Sequence, residues 1–211
     1  MIPIHEILFF ALAALVLVIS PGPNMIYLIS RTITQGRKAG MTSLAGVICG
    51  FLFHIIMVSF GLTAVLFAVP FAYIVLKTLG TAYLLYLAFQ AIKPNSKNIF
   101  EVEKNSQVDG PKKLFTVGFL TNVLNPKVAV FYLSFFPQFI KPEYGSIFTQ
   151  SLELGVIQVC VSLTVNFVIV LSAAKAAVFF AANPTWIKIQ KWFMASVLTF
   201  LAVKMAISRA K

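Results

Sequence analysis

Apolar positions along this chain fall in long uninterrupted runs, and the polar residues are gathered between them. From Ile7 to Ser30 there is no charged residue, and from Met41 to Leu76 there is no Asp, Glu, Lys or Arg. Runs of this length read as membrane-spanning helices. The first makes one segment. The second is too long for one crossing at about 1.5 Å per residue, and Pro70 is the natural restart, because proline suits the first turn of a helix. The pattern predicts helices over about 40–67 and about 70–92. A fourth apolar segment covers about 114–139 with Lys127 in its middle. A polar turn holds Lys141, Pro142, Glu143 and Gly145. The fifth segment covers about 149–181, Asn183-Pro184 breaks the chain, and a sixth covers about 186–207.

Residues 93–113 differ in kind. Lys93, Lys97, Glu101, Glu103, Lys104, Asp109, Lys112 and Lys113 crowd into them with Pro94, Gly110 and Pro111. This composition reads as a polar cytoplasmic linker between two halves. The expected fold is an all-α membrane protein of about six transmembrane helices. Its expected organisation is a first three-helix unit over 1–92, the linker over 93–113, and a second unit over 114–211.

Composition agrees. Hydrophobic residues make up 59% of the 211 and charged residues 11%, and mean hydropathy is +0.91. A soluble domain of this size cannot hide so much apolar surface. The net charge of +11 raises nucleic acid as a partner. The charges lie between apolar runs, however, with no basic face interleaved with aromatics. They read instead as a topology signal and as contacts to anionic lipid headgroups, with no nucleic-acid partner. The connections after segments one, three and five carry Arg31, Arg37, Lys38, Lys93, Lys97, Lys104, Lys112, Lys113, Lys188 and Lys191. The opposite side carries Lys141, Lys204, Arg209 and Lys211. The positive-inside rule then places both termini outside the cytoplasm. Met1–Glu6 holds no Lys or Arg, so the first run is expected to be retained as a membrane segment. Cys49 and Cys160 are too few and too isolated for a disulfide framework or a zinc site, and read as buried, inert thiols.

Sliding the chain by 105 residues superposes Pro21 on Pro126, Tyr27 on Tyr132, Leu28 on Leu133, Gly40 on Gly145 and Gly50 on Gly155. Segment one then matches segment four. An offset of three spans flips orientation, so the halves read as inverted repeats, with segments one and four both broken at prolines. Secondary transporters are commonly built this way, with the substrate site at the bilayer midplane.

Both breaks lie deep in apolar runs. Ser20-Pro21-Gly22-Pro23-Asn24 interrupts the first, and Asn125-Pro126-Lys127 the fourth. Such interruptions persist in lipid only where they are buried or line a cavity. Ser20 and Asn125 each precede a proline and read as N-caps. Two half-helix N-termini would then face inward, a ready site for a carboxylate. Lys127, near mid-membrane, either binds a substrate carboxylate, shares in proton movement, or is held by carbonyls of a broken helix. His54 follows Gly46-x-x-x-Gly50, a spacing that lets another helix approach closely. It is either a proton relay or a neutral histidine bonded between helices. Glu6 and Glu153, at segment edges, are candidate coupling residues or headgroup-level carboxylates. Asn24, Asn122 and Asn166 either bind substrate or join helices. The candidate substrate-binding set is Ser20, Pro21, Gly22, Pro23, Asn24, Asn122, Asn125, Pro126 and Lys127, and the candidate coupling set is His54, Glu153 and Glu6. No metal-ligand spacing, phosphate-cradling loop or Ser-His-Asp pattern is present in the sequence, so neither metal, cofactor nor catalytic residue is expected.

Ser20-Pro-Gly-Pro-Asn24, Gly46-x3-Gly50-x3-His54, Leu79-Gly-Thr-Ala-Tyr-Leu-Leu-Tyr86 and the stretch from Leu124-Asn-Pro-Lys127 through Phe136-Pro-Gln-Phe139 resemble the LysE/RhtB family along roughly the whole chain. That resemblance implies a multi-pass exporter of the bacterial inner membrane, with an amino acid as substrate, protons as coupling ion by antiport, and room for a homo-oligomer. The chain departs from many relatives in having no glycine between Trp192 and Ala206, and from some in having no acidic residue after Glu153. Metal-cation efflux and a membrane thiol–disulfide enzyme are the alternatives. The first lacks a ligand cluster. In the second, Cys49 and Cys160 are not partners under the repeat.

Overall fold

A computed structural model of the chain describes residues 2–20, 22–62, 72–93 and 108–207. Pro21, Pro70 and most of the expected linker lie outside the described residues. Every regular element among the described residues is helical. We number them α1 Ile4–Ile19, α2 Pro23–Met57 with a π turn Val58–Leu62, α3 Ala72–Ile92, α4 Pro111–Val123, α5 Pro126–Val130, α6 Ile147–Ala182 and α7 Pro184–Ile207. After α5 the chain continues through a π turn Phe131–Phe135 and 3-10 turns Phe136–Phe139 and Pro142–Tyr144.

Four helices open on proline, at Pro23, Pro111, Pro126 and Pro184. The first helical position needs no amide donor, and the fixed φ of proline suits it. The fourth apolar segment therefore begins at Pro111, capped by Gly110, ahead of the expected 114. The N-cap of α2 is Gly22, in extended conformation. This corrects the expectation for Ser20, which instead terminates α1 and donates its amide to the Val16 carbonyl. Asn125 caps α5 as expected, its side chain accepting from the Lys127 amide at 3.0 Å.

The formal length of α2 conceals a reversal. Gly36 has φ 84° and ψ 172°, a left-handed φ that favours glycine. Ser43 Oγ lies 3.3 Å from the Tyr27 hydroxyl, whereas a straight helix would set those residues about 24 Å apart along its axis. The segment is thus a helical hairpin, with its turn inside the basic 31–38 stretch. Gly145, at φ 101°, ends the other broken segment. The single 105-residue offset had paired that glycine with Gly40, but Gly40 lies within a helix and the turn belongs to Gly36.

In lipid, helices associate through close packing and hydrogen bonds rather than hydrophobic exclusion. The crossing of α2 with α4 shows how. A Cβ on Gly46 would strike the Phe115 carbonyl, one on Gly118 the Ser43 carbonyl, and one on Gly50 the Asn122 side chain. The two backbones therefore touch, as the glycine spacing predicts. α2 also packs on α6, α1 on α6, and α3 on α7. Large apolar side chains face outward all round, among them Leu8, Leu12, Ile56, Leu124, Trp192 and Phe193, each more than half exposed. So wide an apolar surface is stable against hydrocarbon and not against water. By length and apolarity, Pro23–Phe60, Ile147–Ala173 and the pair Pro111–Val123 with Pro126–Phe139, bent by 45°, are membrane-capable. The chain is a membrane protein, all-helical in its regular elements among the described residues.

Candidate functional site

The two broken segments cross antiparallel, and a ladder of contacts records it. Glu6 pairs with Lys141 at 3.0 Å. Phe10 packs edge-on to Phe136 and Phe139, with centroids at 5.5 and 5.2 Å. Lys127 reaches Leu17 and Ser20. The Tyr27 hydroxyl donates to the Leu114 carbonyl at 2.7 Å, and Arg31 pairs with Asp109 at 2.8 Å. As numbers rise along one segment they fall along the other, and the breaks meet at the middle.

Lys127 stands at that crossing. It is buried, and its Nζ donates to the Leu17 carbonyl at 2.9 Å and the Ser20 carbonyl at 2.6 Å. The last carbonyls of a helix lack partners within it and carry the negative end of its dipole. The break after α1 therefore presents acceptors for the cation. Of the readings open for Lys127, capture by carbonyls of the broken helix is what the structure displays. An ammonium has three donors, and two are used among the described residues. Gly22 makes the approach possible, since a Cβ there would lie 3.0 Å from Nζ and 3.2 Å from Cε.

A cavity of about 20 Å³ adjoins this ammonium, lined by Leu17, Val18, Ser20, Asn24, Met25, Phe51, Lys127, Val128 and Asn166. That is room for one water-sized molecule and too small for any amino acid. Around it, buried polar atoms have no partner among the described residues: Asn24 Oδ1, both side-chain atoms of Asn122, Asn125 Nδ2 and the Tyr132 hydroxyl. Each such group in an apolar interior costs about 1–3 kcal/mol. They are five of the ten such atoms among the described residues.

His54 is buried one turn along α2 from the cavity-lining Phe51. Its Nε2 lies 3.5 Å from the Asn122 carbonyl. With a carbonyl as partner, that nitrogen is the donor. The ring stacks on Tyr132 at 5.1 Å and 9°. Gly50 seats this group, because any side chain there would displace Asn122.

The structure therefore draws together Ser20, Gly22, Asn24, Asn125 and Lys127, with Asn122 and His54 alongside. Pro23 and Pro126 open the adjoining half-helices. The two carboxylates stand elsewhere. Glu6 is tied to Lys141 at the end of the crossing, and Glu153 is half-buried on α6 and does not line the cavity. Cys49 is half-buried and Cys160 exposed, both free, which corrects the expectation of two buried thiols. No group of three or more His, Cys, Asp or Glu gathers among the described residues. Sequence reading passed over Tyr132 as a site residue, and over Ser151, Gln158 and Ser162, which form a stripe on α6 with Asn166, each of the four at most 2% exposed. Gln158 Nε2 donates to Ser162 Oγ at 2.9 Å, and Asn166 Nδ2 to the Ser162 carbonyl at 2.8 Å. The signal was legible, since helical spacing puts these polar residues on one face.

At each end of the crossing an ion pair holds the segments together. Asp109 accepts from Arg31 at 2.8 Å and Lys113 at 2.6 Å, while its amide donates to the Gln35 side chain. The Lys113 hydrogen bond, reinforced by the Arg31 charge, holds its carboxyl below the usual carboxylate range. At the other end the Glu6 carboxylate, and then the Tyr144 hydroxyl, raise the pKa of Lys141 above that of an ordinary lysine.

The family model described as LysE type translocator matches residues 15–209. The chain is 31% identical over 156 residues to the homoserine/homoserine lactone efflux protein of Salmonella typhimurium, covering 74% of each chain. The protein of the same description from Salmonella typhi is equally similar, at 31% over 156 residues. An uncharacterized membrane protein of Pseudomonas aeruginosa is 30% identical over 175 residues, 81% of each chain. No solved structure matches. A match over nearly the whole chain, on a helical membrane scaffold with its two breaks joined at Lys127, makes this protein a member of the LysE type translocator family.

Proposed function

We propose that this chain is a secondary-active exporter of amino acids or related small metabolites in the bacterial inner membrane. It works by alternating access around the crossing of its two broken segments. The observation that carries the reading is Lys127, a buried ammonium held by the open end of α1 with one donor to spare. A substrate carboxylate takes that donor and the first-turn amides of α2, where the helix dipole favours an anion. The unpartnered Asn24 Oδ1 accepts from the substrate ammonium, and the amides of Asn122 and Asn125 serve its remaining polar atoms. Ser20, Pro21, Gly22, Pro23 and Pro126 shape the breaks. The Asn125 side chain already occupies the Lys127 amide, so the α2 terminus is the stronger anion site of the two.

A cavity this small suits a state of the cycle that holds no substrate. Six spans in two inverted three-helix units, 1–92 and 114–211, are the architecture such a cycle needs. The antiparallel crossing supports that arrangement for the first and fourth spans. We assign proton coupling to the His54–Tyr132 stack in preference to Glu6 or Glu153, because it borders the centre and the carboxylates do not. The Salmonella relatives are described by homoserine and homoserine lactone, and homoserine is the first substrate to try.

The test is efflux from vesicles preloaded with single amino acids. The wild-type protein is expected to accelerate loss of at least one of them. Lys127→Ala is expected to abolish that loss while the protein still inserts. Retained efflux in Lys127→Ala removes the lysine from the site, and no efflux of any amino acid by well-folded protein overturns the reading.

A further inference from the structure

The ion pairs at the two ends of the crossing are alike in chemistry and unlike in what lies behind them. Behind Glu6–Lys141 stand Phe10, Phe131, Phe135, Phe136 and Phe139, none more than 5% exposed and packed ring against ring. Behind Arg31–Asp109 there is no aromatic cluster of that kind among the described residues, and the contacts include polar ones: the Tyr27 hydroxyl on the Leu114 carbonyl, and Ser43 Oγ on Tyr27. Parting the first end breaks up an aromatic core. Parting the second exchanges hydrogen bonds for equivalent ones to water or a polar ligand, at little net cost. The crossing thus has a thick closure at one end and a thin one at the other. The thin end carries the dense basic connections, which the positive-inside rule places in the cytoplasm, where an exporter takes up its cargo.

The thin closure also has the chemistry of a site. Arg31 gives Nη1 to Asp109 and lies 5.7 Å from the Tyr27 ring centroid, while its Nε is buried with no partner. Its side chain keeps 22% of its surface open, so a small solute can reach it. A free amino acid carries the two charges that match this pair: a carboxylate for the guanidinium fork and an ammonium for Asp109. We propose that Arg31, Asp109 and Lys113, with Tyr27 beneath them, form the entry site for zwitterionic amino acids and the gate that they open. The substrate carboxylate takes Arg31, including its unused Nε, and the substrate ammonium takes Asp109. Every charge keeps an opposite partner, and the bond that ties the first broken segment to the fourth is released. This rests on the amino-acid reading above and adds the place and manner of loading.

The test uses the full chain with Cys49→Ser, Cys160→Ser and a reporter, Ser43→Cys, at a fully buried position under Tyr27. In the closed protein the reporter thiol reacts slowly with a charged, water-soluble thiol reagent. Arg31→Gln is expected to raise that rate about tenfold, the equivalent of 1.4 kcal/mol. Glu6→Gln, at the thick end, is expected to leave it unchanged. The exchanged pair Arg31→Asp with Asp109→Arg keeps a bridge and restores shielding, which separates gating from misfolding. Saturating homoserine speeds labelling in the parent but not in Asp109→Asn. Equal labelling in the parent and Arg31→Gln overturns the gate. Labelling unmoved by homoserine, in vesicles that do export it, overturns the entry site while leaving the transport reading intact. If no amino acid is exported, the transport reading fails and the zwitterion with it, and the contrast between Arg31→Gln and Glu6→Gln still decides the gate.

Discussion

Replacing Gly22 by alanine adds one methyl group at the point where the two broken segments meet. The backbone accepts it, because φ at Gly22 is −174°, extended conformation open to any residue. The conflict is with Lys127. The new carbon would lie 3.0 Å from Nζ and 3.2 Å from Cε, against an ordinary contact of about 3.5–4.0 Å. The lysine must retreat by about half an ångström, yet its Nζ is pinned by bonds of 2.9 and 2.6 Å to Leu17 and Ser20. Overpacking of this kind costs about 1–3 kcal/mol. Loss of one bond from a charged donor costs about 1.5–3 kcal/mol, so the two estimates agree. If Lys127 holds the substrate carboxylate, the same displacement slows efflux by about 5- to 150-fold, at tenfold per 1.4 kcal/mol. The assay pairs vesicle efflux of homoserine with the thermal midpoint of the purified protein in detergent. The expected result is a lower midpoint together with slowed efflux. Efflux within twofold of wild type at an unchanged midpoint would refute both the close approach and the role given to Lys127.

Two further outcomes follow from the same geometry. Tyr132→Phe removes a buried hydroxyl that has no partner, so folding stability is expected to hold or rise by about 1 kcal/mol, measured as the thermal midpoint. Proton-gradient-driven efflux is expected to fall; efflux unchanged by the substitution would take Tyr132 out of the coupling group. The end closures are expected to be indifferent to pH between about 5 and 9. Asp109 has a depressed pKa, so its contribution is fully present above the ordinary carboxylate value of 3.8 and is lost only as pH falls through its lower folded value. Lys141 has a raised pKa, so its contribution is fully present below 10.5 and is lost as pH climbs past its higher folded value. Hydrogen exchange of the Asp109 and Lys141 amides at pH 5, 7 and 9, corrected for intrinsic rates, checks this; protection that changes between pH 5 and 7 would point to a titrating group other than these two.

The sequence by itself settled what depends on local order. Runs without charge announced the helices, Pro126 announced where one half-helix begins and Pro184 where the chain breaks before the last helix, and Gly46-x-x-x-Gly50 announced a close crossing, because backbone sterics and the need to satisfy amides in lipid act within a few residues. Asn125 as a cap and Lys127 as the unusual charge were legible for the same reason. What needed the tertiary structure was which distant segments meet, and how each break is built in detail. Nothing local says that the ammonium of Lys127 sits on the carbonyls of Leu17 and Ser20, that Gly22 and not Ser20 begins the second half-helix, or that Gly36 folds a 35-residue helical stretch back on itself. Glu6 and Asp109 look like any carboxylates at a segment edge until the antiparallel crossing gives each a base from the other half. Local rules fix where a chain bends and what it exposes. Which bends meet is decided by packing among distant surfaces, and here that packing is what turned two proline breaks into one centre.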